Sequence, residues 1–149
     1  MRQVTLCLLI KNNQVLLAMK KRGFGEGWWN GTGGKVKKDE SLEEAAIRET
    51  KEEISVTPTK MTKVAIIDFY FQDTEDWNQQ MIVYLVTDWI GEPKESEEMK
   101  PQWFNKNQLP LEKMWPADKI WMPMVLSGKK LKGQVTFNKN KELVDYSFQ

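Results

Sequence analysis

Gly34 to Ser55 reads GKVKKDESLEEAAIRETKEEIS, and this stretch decides how the chain folds. Within it, Ser41-Leu42-Glu43-Glu44 is a capping box, which predicts a helix that runs to about Ile54. At about 100° per residue, five residues fall on one stripe about 140° wide, which predicts the face that packs. These residues are Leu42, Ala46, Ile47, Thr50 and Ile54.

Three glutamates border that stripe within about 100° of the helix circumference, namely Glu49, Glu52 and Glu53. Carboxylates at the rim of a buried face repel one another and lose solvation, which costs free energy unless a cation is shared. Arg48 lies four residues before Glu52 and offsets part of that charge. The alternative is a solvated helix of Glu and Lys, which is common in a chain with 29% charged residues.

The residue types that are absent exclude much of enzyme chemistry. The chain has no His and one Cys, which removes Ser-His-Asp and Cys-His nucleophiles, His-ligated zinc and internal disulfides. That cysteine, Cys7, lies in an apolar run and is expected in the core. Acid–base and metal chemistry must therefore rest mainly on carboxylates, which suit hard cations such as Mg²⁺ or Mn²⁺. Those ions in turn suit phosphate substrates.

The charge balance and hydropathy limit the partners. A net charge of +1 gives no global field, so neither a nucleic-acid polymer nor an anionic membrane is expected as a partner. No run approaches the roughly 18 apolar residues that a membrane span needs. The first residues contain no small-residue cleavage site before Lys11, so no signal peptide is expected. We expect a cytoplasmic monomer that binds a small molecule through a local patch.

The pattern along the chain predicts one mixed domain. Apolar, β-branched and aromatic runs predict strands at Val4–Ile10, Gln14–Met19, Val64–Phe71, Met81–Val86, Gln102–Phe104, Val135–Phe137 and Leu143–Phe148. The polar stretches 11–13, 72–79 and 138–140 predict that the strands on either side of each stretch pair as a hairpin. Gly91–Lys100 is predicted as a charged loop, and a second helix is predicted over Ala117–Leu126 despite Pro123. Strands and two helices in mixed order predict a single α/β or α+β domain over residues 1–149, with a mixed sheet.

Six identities at fixed spacing surround the acidic helix: Gly34, Glu40, Arg48-Glu49 and Glu52-Glu53. At average residue frequencies they arise by chance on the order of once in 10⁵ chains of this length. The spacing matches the Nudix box, so the chain resembles a Nudix hydrolase. The resemblance implies the Nudix fold, a mixed β-sheet sandwiched between helices. It also implies an enzyme that binds divalent metal on these glutamates and hydrolyses nucleoside diphosphates linked to another moiety.

Stretches outside the box are similar to one Nudix branch, the MutT-like oxidised purine nucleoside triphosphate hydrolases, or 8-oxo-dGTP diphosphatases. These stretches are Met19–Gly25, Trp29–Val36, Glu95–Met99, Met114-Trp115-Pro116, and Trp121 with Pro123. The branch implies Mg²⁺-dependent hydrolysis of a triphosphate to the monophosphate plus pyrophosphate, which sanitises the nucleotide pool. The alternatives are a Nudix pyrophosphatase for dinucleotides or ordinary NTPs, and a nucleotide-sensing module without catalysis.

The resemblance also implies roles for single residues. The implied metal ligands are the Gly33 carbonyl, Glu49, Glu52, Glu53 and Glu98. The implied catalytic set is Arg48, Glu49, Glu52 and Glu53, with Glu53 or Glu52 taking the proton of the attacking water. The residues implied to bind substrate are Thr5, Lys20, Phe24, Asn30, Gly34, Lys35, Phe69, Trp115 and Asp118.

Within the substrate set, Trp115 would stack the base and Asn30 and Asp118 would read its edge, while Thr5 would line the floor of the pocket. The chain departs from the branch at Ala117, where a second consecutive Asp is usual, so the resemblance does not fix which oxidised purine is preferred. Two positions of the box also depart from the pattern. Thr50 stands where a large aliphatic residue is usual, and Ser55 stands where a glycine is usual.

Overall fold

Eight β-strands and two α-helices form the computed structural model, which describes residues 1–149. The strands are β1 (Arg2–Lys11), β2 (Gln14–Lys20), β3 (Trp29–Asn30), β4 (Thr57–Phe71), β5 (Gln79–Ile90), β6 (Met99–Asn105), β7 (Leu131–Phe137) and β8 (Leu143–Phe148). The helices are α1 (Leu42–Ile54) and α2 (Asp118–Leu126), and two 3₁₀ turns cover Glu75–Trp77 and Leu111–Lys113. Neither helix is long and apolar enough to cross a membrane.

All eight strands belong to one mixed sheet, in the order β3-β2-β1-β5-β4-β7-β8 with β6 paired to β2. The hairpin pairs β1–β2, β4–β5 and β7–β8 are antiparallel, whereas β1 runs parallel to β5 and β4 runs parallel to β7. The mixed sheet and its three hairpins are confirmed.

Alternate residues of β1 point to opposite faces of the sheet, and each face carries one helix. Leu6 and Leu8 belong to a core cluster that includes Trp121 of α2. Cys7 and Leu9 belong to a second cluster, which includes Ile54 of α1. The sheet is therefore sandwiched between helices, and Cys7 lies in the core as predicted.

The capping box of α1 forms as predicted. The Ser41 hydroxyl accepts a hydrogen bond from the Glu44 N–H at 3.1 Å, and the Glu44 carboxylate accepts one from the Ser41 N–H at 3.0 Å. At the other end Ser55 is left-handed, with φ 63°, where a glycine would save up to about 1 kcal/mol. The Ser55 N–H still donates to the Lys51 carbonyl at 3.0 Å, so the helix ends cleanly without glycine.

The packed face of α1 is rotated from the predicted stripe. Its buried residues are Ala45, Ala46, Thr50, Glu53 and Ile54. Leu42 and Ile47 are only half-buried, and Glu53 lies inside the packed face rather than at its border, so the stripe was partly wrong. The rotation has a polar cause, because the backbone N–H of Gly33 packs against this side and partners the Glu53 carboxylate.

The predicted strand limits were wrong at several points. β4 begins seven residues earlier than predicted, and its first half pairs with β5 through register shifts that obscure any regular alternation. β6 begins at Met99, inside the predicted loop Gly91–Lys100, and the two-residue strand β3 was not predicted. These segments gain strand geometry from a neighbouring strand rather than from their own composition.

Candidate active site

Residues 31–35, the glycine loop, lie between β1 and α1. The loop pairs with β1 through a hydrogen bond from the Thr5 N–H to the Gly34 carbonyl at 2.9 Å. A Cβ on Gly33, whose φ is +152°, would overlap the Thr5 carbonyl oxygen, and a Cβ on Gly34 would lie 2.6 Å from the Glu49 carboxyl carbon. Only glycine lets this backbone approach both the strand and the helix.

Glu53 is the most buried of the three helix carboxylates, with 6% of the residue exposed. Its Oε1 accepts a hydrogen bond from the Gly33 N–H at 2.7 Å. Burial raises the pKa of Glu53 to about 8; the Gly33 hydrogen bond and Lys20 oppose this rise, while Glu49 and Glu98 add to it by repulsion. Burial therefore favours the protonated form of Glu53, which the Gly33 bond holds against the loop.

Arg48 joins three carboxylates and the glycine loop. Its Nε donates to Glu40 Oε2 at 2.7 Å, and its Nη1 reaches Glu49 Oε1 at 2.8 Å and Glu52 Oε2 at 3.3 Å. Its Nη2 donates to the Lys35 carbonyl at 3.0 Å. The bond from Arg48 lowers the pKa of Glu40 to about 2. Glu40 of the Nudix box therefore fixes Arg48, and Arg48 in turn bonds Glu49 and Glu52.

The donor set fits a hard divalent cation, because it consists of oxygen atoms alone. Besides the carboxylates of Glu49, Glu52 and Glu53, it includes the Gly33 carbonyl, which accepts no hydrogen bond within the chain. No three acidic, His or Cys side chains are grouped closely enough to hold an ion. The reason is that Glu49 and Glu52 turn toward Arg48, so a shared cation must draw at least one of them away.

A pair of buried hydroxyls links the glycine loop to α1 one turn before Glu53. Thr32 Oγ1 and Thr50 Oγ1 lie 2.9 Å apart. This contact accounts for Thr50, since a large aliphatic side chain at this position would leave the Thr32 hydroxyl without a partner. The Thr32–Thr50 and Gly33–Glu53 hydrogen bonds therefore hold two successive residues of the glycine loop against α1.

An aromatic pocket of about 110 Å³ lies on the α2 face of the sheet. It is lined by Phe24, Asn30, Phe69, Phe71, Gln79, Met81, Trp115, Asp118 and Phe137. The Trp115 ring stacks against Phe24 with their centroids 5.2 Å apart. Phe24 is 54% exposed, and Lys141 from the β7–β8 turn lies 4.5 Å above its ring. The pocket thus offers flat apolar walls with a partly open edge.

Asp118 supplies the unsatisfied polar atom of this pocket. Its Oδ1 accepts a hydrogen bond from the Trp121 indole at 2.9 Å, whereas its Oδ2 is buried without any partner. Burial raises the pKa of Asp118 to about 7, although the Trp121 bond acts in the opposite direction. Across the pocket, Asn30 uses its Oδ1 for the Gly31 N–H at 2.8 Å, which leaves its amide group as a donor. A ligand with a polar edge would satisfy both groups.

The aromatic pocket adjoins a second cavity of about 240 Å³, the glycine cavity. Phe24, Asn30 and Trp115 line both cavities, and Gly33, Gly34 and Lys20 line only the second of the two. Thr5 also lines the glycine cavity rather than the aromatic pocket, with its hydroxyl 3.5 Å from the Gly34 carbonyl. Thr5 therefore lies beside the glycine loop, and its contact with the base stays a prediction.

The remaining expected site residues lie at the edges. Glu98 has a side chain that is 57% exposed and pairs with Arg22 at 3.5 Å, yet its charge still acts on Glu53. Lys35 is exposed, and only its carbonyl contacts Arg48. The pocket residues that the sequence analysis missed are Phe71, Gln79, Met81 and Phe137. The signal for Phe71 was available, because it is two residues after Phe69 on one strand and shares its face.

Together, the fold and the site define a hydrolase. Its acidic helix lies beside a cavity whose aromatic end carries unpaired polar atoms. The chain belongs to the Nudix family, since the NUDIX domain profile matches residues 1–125. It is 40% identical over 148 residues to the oxidized purine nucleoside triphosphate hydrolase of Mus musculus, which covers 99% of this chain and 94% of that protein. The protein of the same name from Danio rerio is 39% identical, with 96% and 91% covered.

The fold matches solved MutT structures over most or all of its length. The crystal structure of a MutT protein from Bacillus halodurans superposes with a TM-score of 0.88 at 29% identity, covering 100% of this chain and 98% of that one. A MutT Nudix hydrolase from Burkholderia pseudomallei matches with a TM-score of 0.66 at 28% identity, covering 73% and 86%. The expected Nudix fold is confirmed. Nudix hydrolases generally need a divalent cation and act on nucleotide substrates.

Proposed function

We propose that this protein hydrolyses oxidised purine (deoxy)nucleoside triphosphates, such as 8-oxo-dGTP, to the monophosphate and pyrophosphate, and so sanitises the nucleotide pool. The observation that carries the proposal is that two different cavities lie side by side and share lining residues. One has aromatic walls and an unpartnered Asp118 oxygen, and the other is floored by the glycine loop beside α1. In a nucleotide substrate, the flat base with its polar edge matches the aromatic pocket, and the phosphate chain matches the glycine cavity. The names of the mouse and zebrafish relatives support the same substrate class.

The base would stack on Trp115, a contact worth about 1–3 kcal/mol for a base on an aromatic ring. Asp118 Oδ2 and the Asn30 amide group would then bond the edge of the base, because each lacks a partner in the chain. Ala117 is fully buried in the core and adds no polar atom. A single carboxyl therefore reads the base here.

The phosphates would lie over the glycine loop, near Lys20 and Lys35. We propose Mg²⁺ as the cation, held by Glu49, Glu52, Glu53 and the Gly33 carbonyl, with Glu98 nearby. When bound, it supplies positive charge against the phosphates and acidifies the attacking water. Glu40 fixes Arg48, which bonds Glu49 and Glu52, so binding of the cation would exchange at least one of these two bonds for a contact with the metal.

Glu53 is our choice as the acceptor of the water proton. Its carboxyl is buried, and the bond from the Gly33 N–H fixes it beside the glycine loop, where the phosphates would lie. Glu52 is less suited, since its side chain is 57% exposed and bonded to Arg48.

We further propose that the protein acts as a cytoplasmic monomer. The sheet and both core clusters are completed within one chain. The single cysteine is free and buried, which is typical of a reducing compartment.

The test is pyrophosphate release from 8-oxo-dGTP, 2-oxo-dATP and dGTP, with and without Mg²⁺. We expect Mg²⁺-dependent release that is faster for an oxidised purine than for dGTP, and an essentially complete loss in Glu53→Gln. Glu43→Gln on the same helix is the matched control, because Glu43 lies outside the site and its amide could still accept from Tyr84. Equal rates on all three substrates would point to a general nucleotide pyrophosphatase, and binding without release would point to a sensing module.

A further inference from the structure

Phe24 forms a wall between cavities, because its ring lines the aromatic pocket, the glycine cavity and a third cavity of about 530 Å³. The residue is 54% exposed and lies between Gly23 and Gly25, whose φ angles are +81° and +86°. The other aromatic walls of the pocket, apart from Trp115, belong to strands β4 and β7. Because glycine backbone changes conformation at little cost, the Phe24 wall is the one that can move.

The Phe24 ring covers the stacking surface of Trp115. The two ring planes are inclined by 29°, with their centroids 5.2 Å apart. Phe137, the other pocket ring in contact with Trp115, meets it edge-on at 66°. The aromatic pocket of about 110 Å³ is also well below the roughly 300 Å³ at which small-molecule sites begin. A base can therefore stack on Trp115 within this pocket only after Phe24 moves aside.

Two residues from other parts of the chain hold the Phe24 ring from outside. The Lys141 ammonium group lies 4.5 Å from the centroid of the Phe24 ring and 5.7 Å from that of Trp77. Trp77 meets the Phe24 ring edge-on, with their centroids 5.7 Å apart. Lys141 belongs to none of the six ion pairs of the chain. Its charge is therefore directed at the two rings rather than at a carboxylate.

The turn between β7 and β8 fixes the backbone from which Lys141 reaches Phe24. Asn138 Oδ1 accepts hydrogen bonds from the N–H groups of Asn140 at 2.9 Å and Glu142 at 3.0 Å. The Asn138 amide donates to the Glu142 carboxylate at 3.2 Å, and its carbonyl accepts from the Lys141 N–H at 2.9 Å. One asparagine thus holds the whole turn, so the contact between Lys141 and Phe24 joins a fixed turn to a movable ring.

We propose that Lys141 is a positioning residue that holds Phe24 over Trp115 in the free protein and so opposes entry of the base. The proposal rests on the proposed function, because it takes the base to stack on Trp115. Only the open conformation binds, so the apparent affinity is reduced in proportion to the open fraction. A cation–π contact at an exposed site favours the closed conformation by about two- to fivefold.

Hydrogen exchange of the free protein tests this contact without any ligand. Lys141→Met keeps the aliphatic stem and removes the charge, so the amides of residues 24–28 should exchange about two- to fivefold faster. Lys141→Arg keeps the cation and should exchange as the wild type does. Lys139→Met, at an exposed position of the same turn, is the matched control and should leave exchange unchanged. Unchanged exchange in Lys141→Met, or an equal rise in Lys139→Met, overturns the proposal.

A binding test uses the sign of the effect. The proposed product 8-oxo-dGMP is mixed with metal-free protein, and tryptophan fluorescence is followed by stopped flow. Lys141→Met should bind it about two- to fivefold more tightly through faster association, with dissociation unchanged. A lysine that contacted the phosphorylated ligand would have the opposite effect, since loss of its charge weakens binding.

The outcomes separate this proposal from the proposed function. Weaker or unchanged binding of 8-oxo-dGMP by Lys141→Met overturns the role of Lys141, even if the wild type hydrolyses oxidised purine triphosphates. If the wild type does not bind 8-oxo-dGMP but hydrogen exchange follows the expected pattern, the proposed function fails, and the contact that holds Phe24 closed is supported.

Discussion

Replacing Asp118 by asparagine should stabilise the protein at alkaline pH while it weakens activity. The carboxyl is 2% exposed, and its Oδ2 has no partner. Burial raises its pKa from 3.8 to about 7, a rise of about three units at about 1.4 kcal/mol each. The ionised carboxylate therefore costs the folded state about 4 kcal/mol above pH 7. Asparagine cannot ionise, and its amide oxygen can still accept from Trp121.

The sign of the pH dependence follows from proton binding. Between pH 3.8 and about 7 the folded chain keeps a proton on Asp118 that the unfolded chain has lost. The stability that this proton confers is fully present below pH 3.8, and it is lost as the pH rises to about 7. The difference in free energy of unfolding between Asp118→Asn and wild type should therefore grow by about 3 kcal/mol from about pH 5 to about pH 8.5.

Urea unfolding in EDTA at the two pH values measures this difference, and Asp145→Asn at an exposed position serves as the control. Other titrating groups, Glu53 among them, affect both proteins equally and cancel in the comparison. In assays at about pH 8.5, where the carboxylate is ionised, the same substitution should lower kcat/KM for 8-oxo-dGTP about ten- to a hundredfold, because the amide donor replaces the unpartnered acceptor. A stability difference that stays constant across the pH range would refute the reasoning, since burial would then not hold the pKa of Asp118 up.

Two further substitutions test the pocket and the loop. Trp115→Ala should raise the KM for 8-oxo-dGTP in steady-state assays by roughly five- to 150-fold, the equivalent of about 1–3 kcal/mol of stacking. Trp115→Phe should retain most of the affinity. An unchanged KM in Trp115→Ala would exclude Trp115 as the stacking surface. Thr50→Val leaves the buried Thr32 hydroxyl unpaired and should lower the free energy of unfolding by about 1–3 kcal/mol in urea titrations. Adding Thr32→Val should restore much of that loss, and a neutral single variant would contradict the proposed restraint.

Features of the fold that depend on neighbouring residues were predictable. The capping box at Ser41 fixed the start of α1, and the hairpins followed from apolar runs around polar turns. Features that depend on distant partners were not. The burial of Glu53 depends on the Gly33 N–H, twenty residues away, and β3 is too short to carry a pattern of its own. The start of β4 is polar and irregularly paired, so its strand geometry comes from β5.

The candidate site divides in the same way. The spacing of the box glutamates was predictable, because helical periodicity places them on one side of α1. The pairing of Arg48 with Glu40 and of Thr32 with Thr50 joins a loop to a helix, and single-sequence periodicity does not reach across that distance. The unpartnered oxygen of Asp118 is likewise visible only once the surrounding core is in place.

The wall of the aromatic pocket has a consequence for how such enzymes diversify. Phe137 and Lys141 come from the last hairpin of the chain, beyond the segment 1–125 that matches the NUDIX profile. The acidic helix and the glycine loop come from an early, separate stretch. Exchange of this hairpin would therefore reshape one wall of the proposed base pocket and leave the acidic helix and the glycine loop unchanged, so selection could act on base preference separately from bond cleavage.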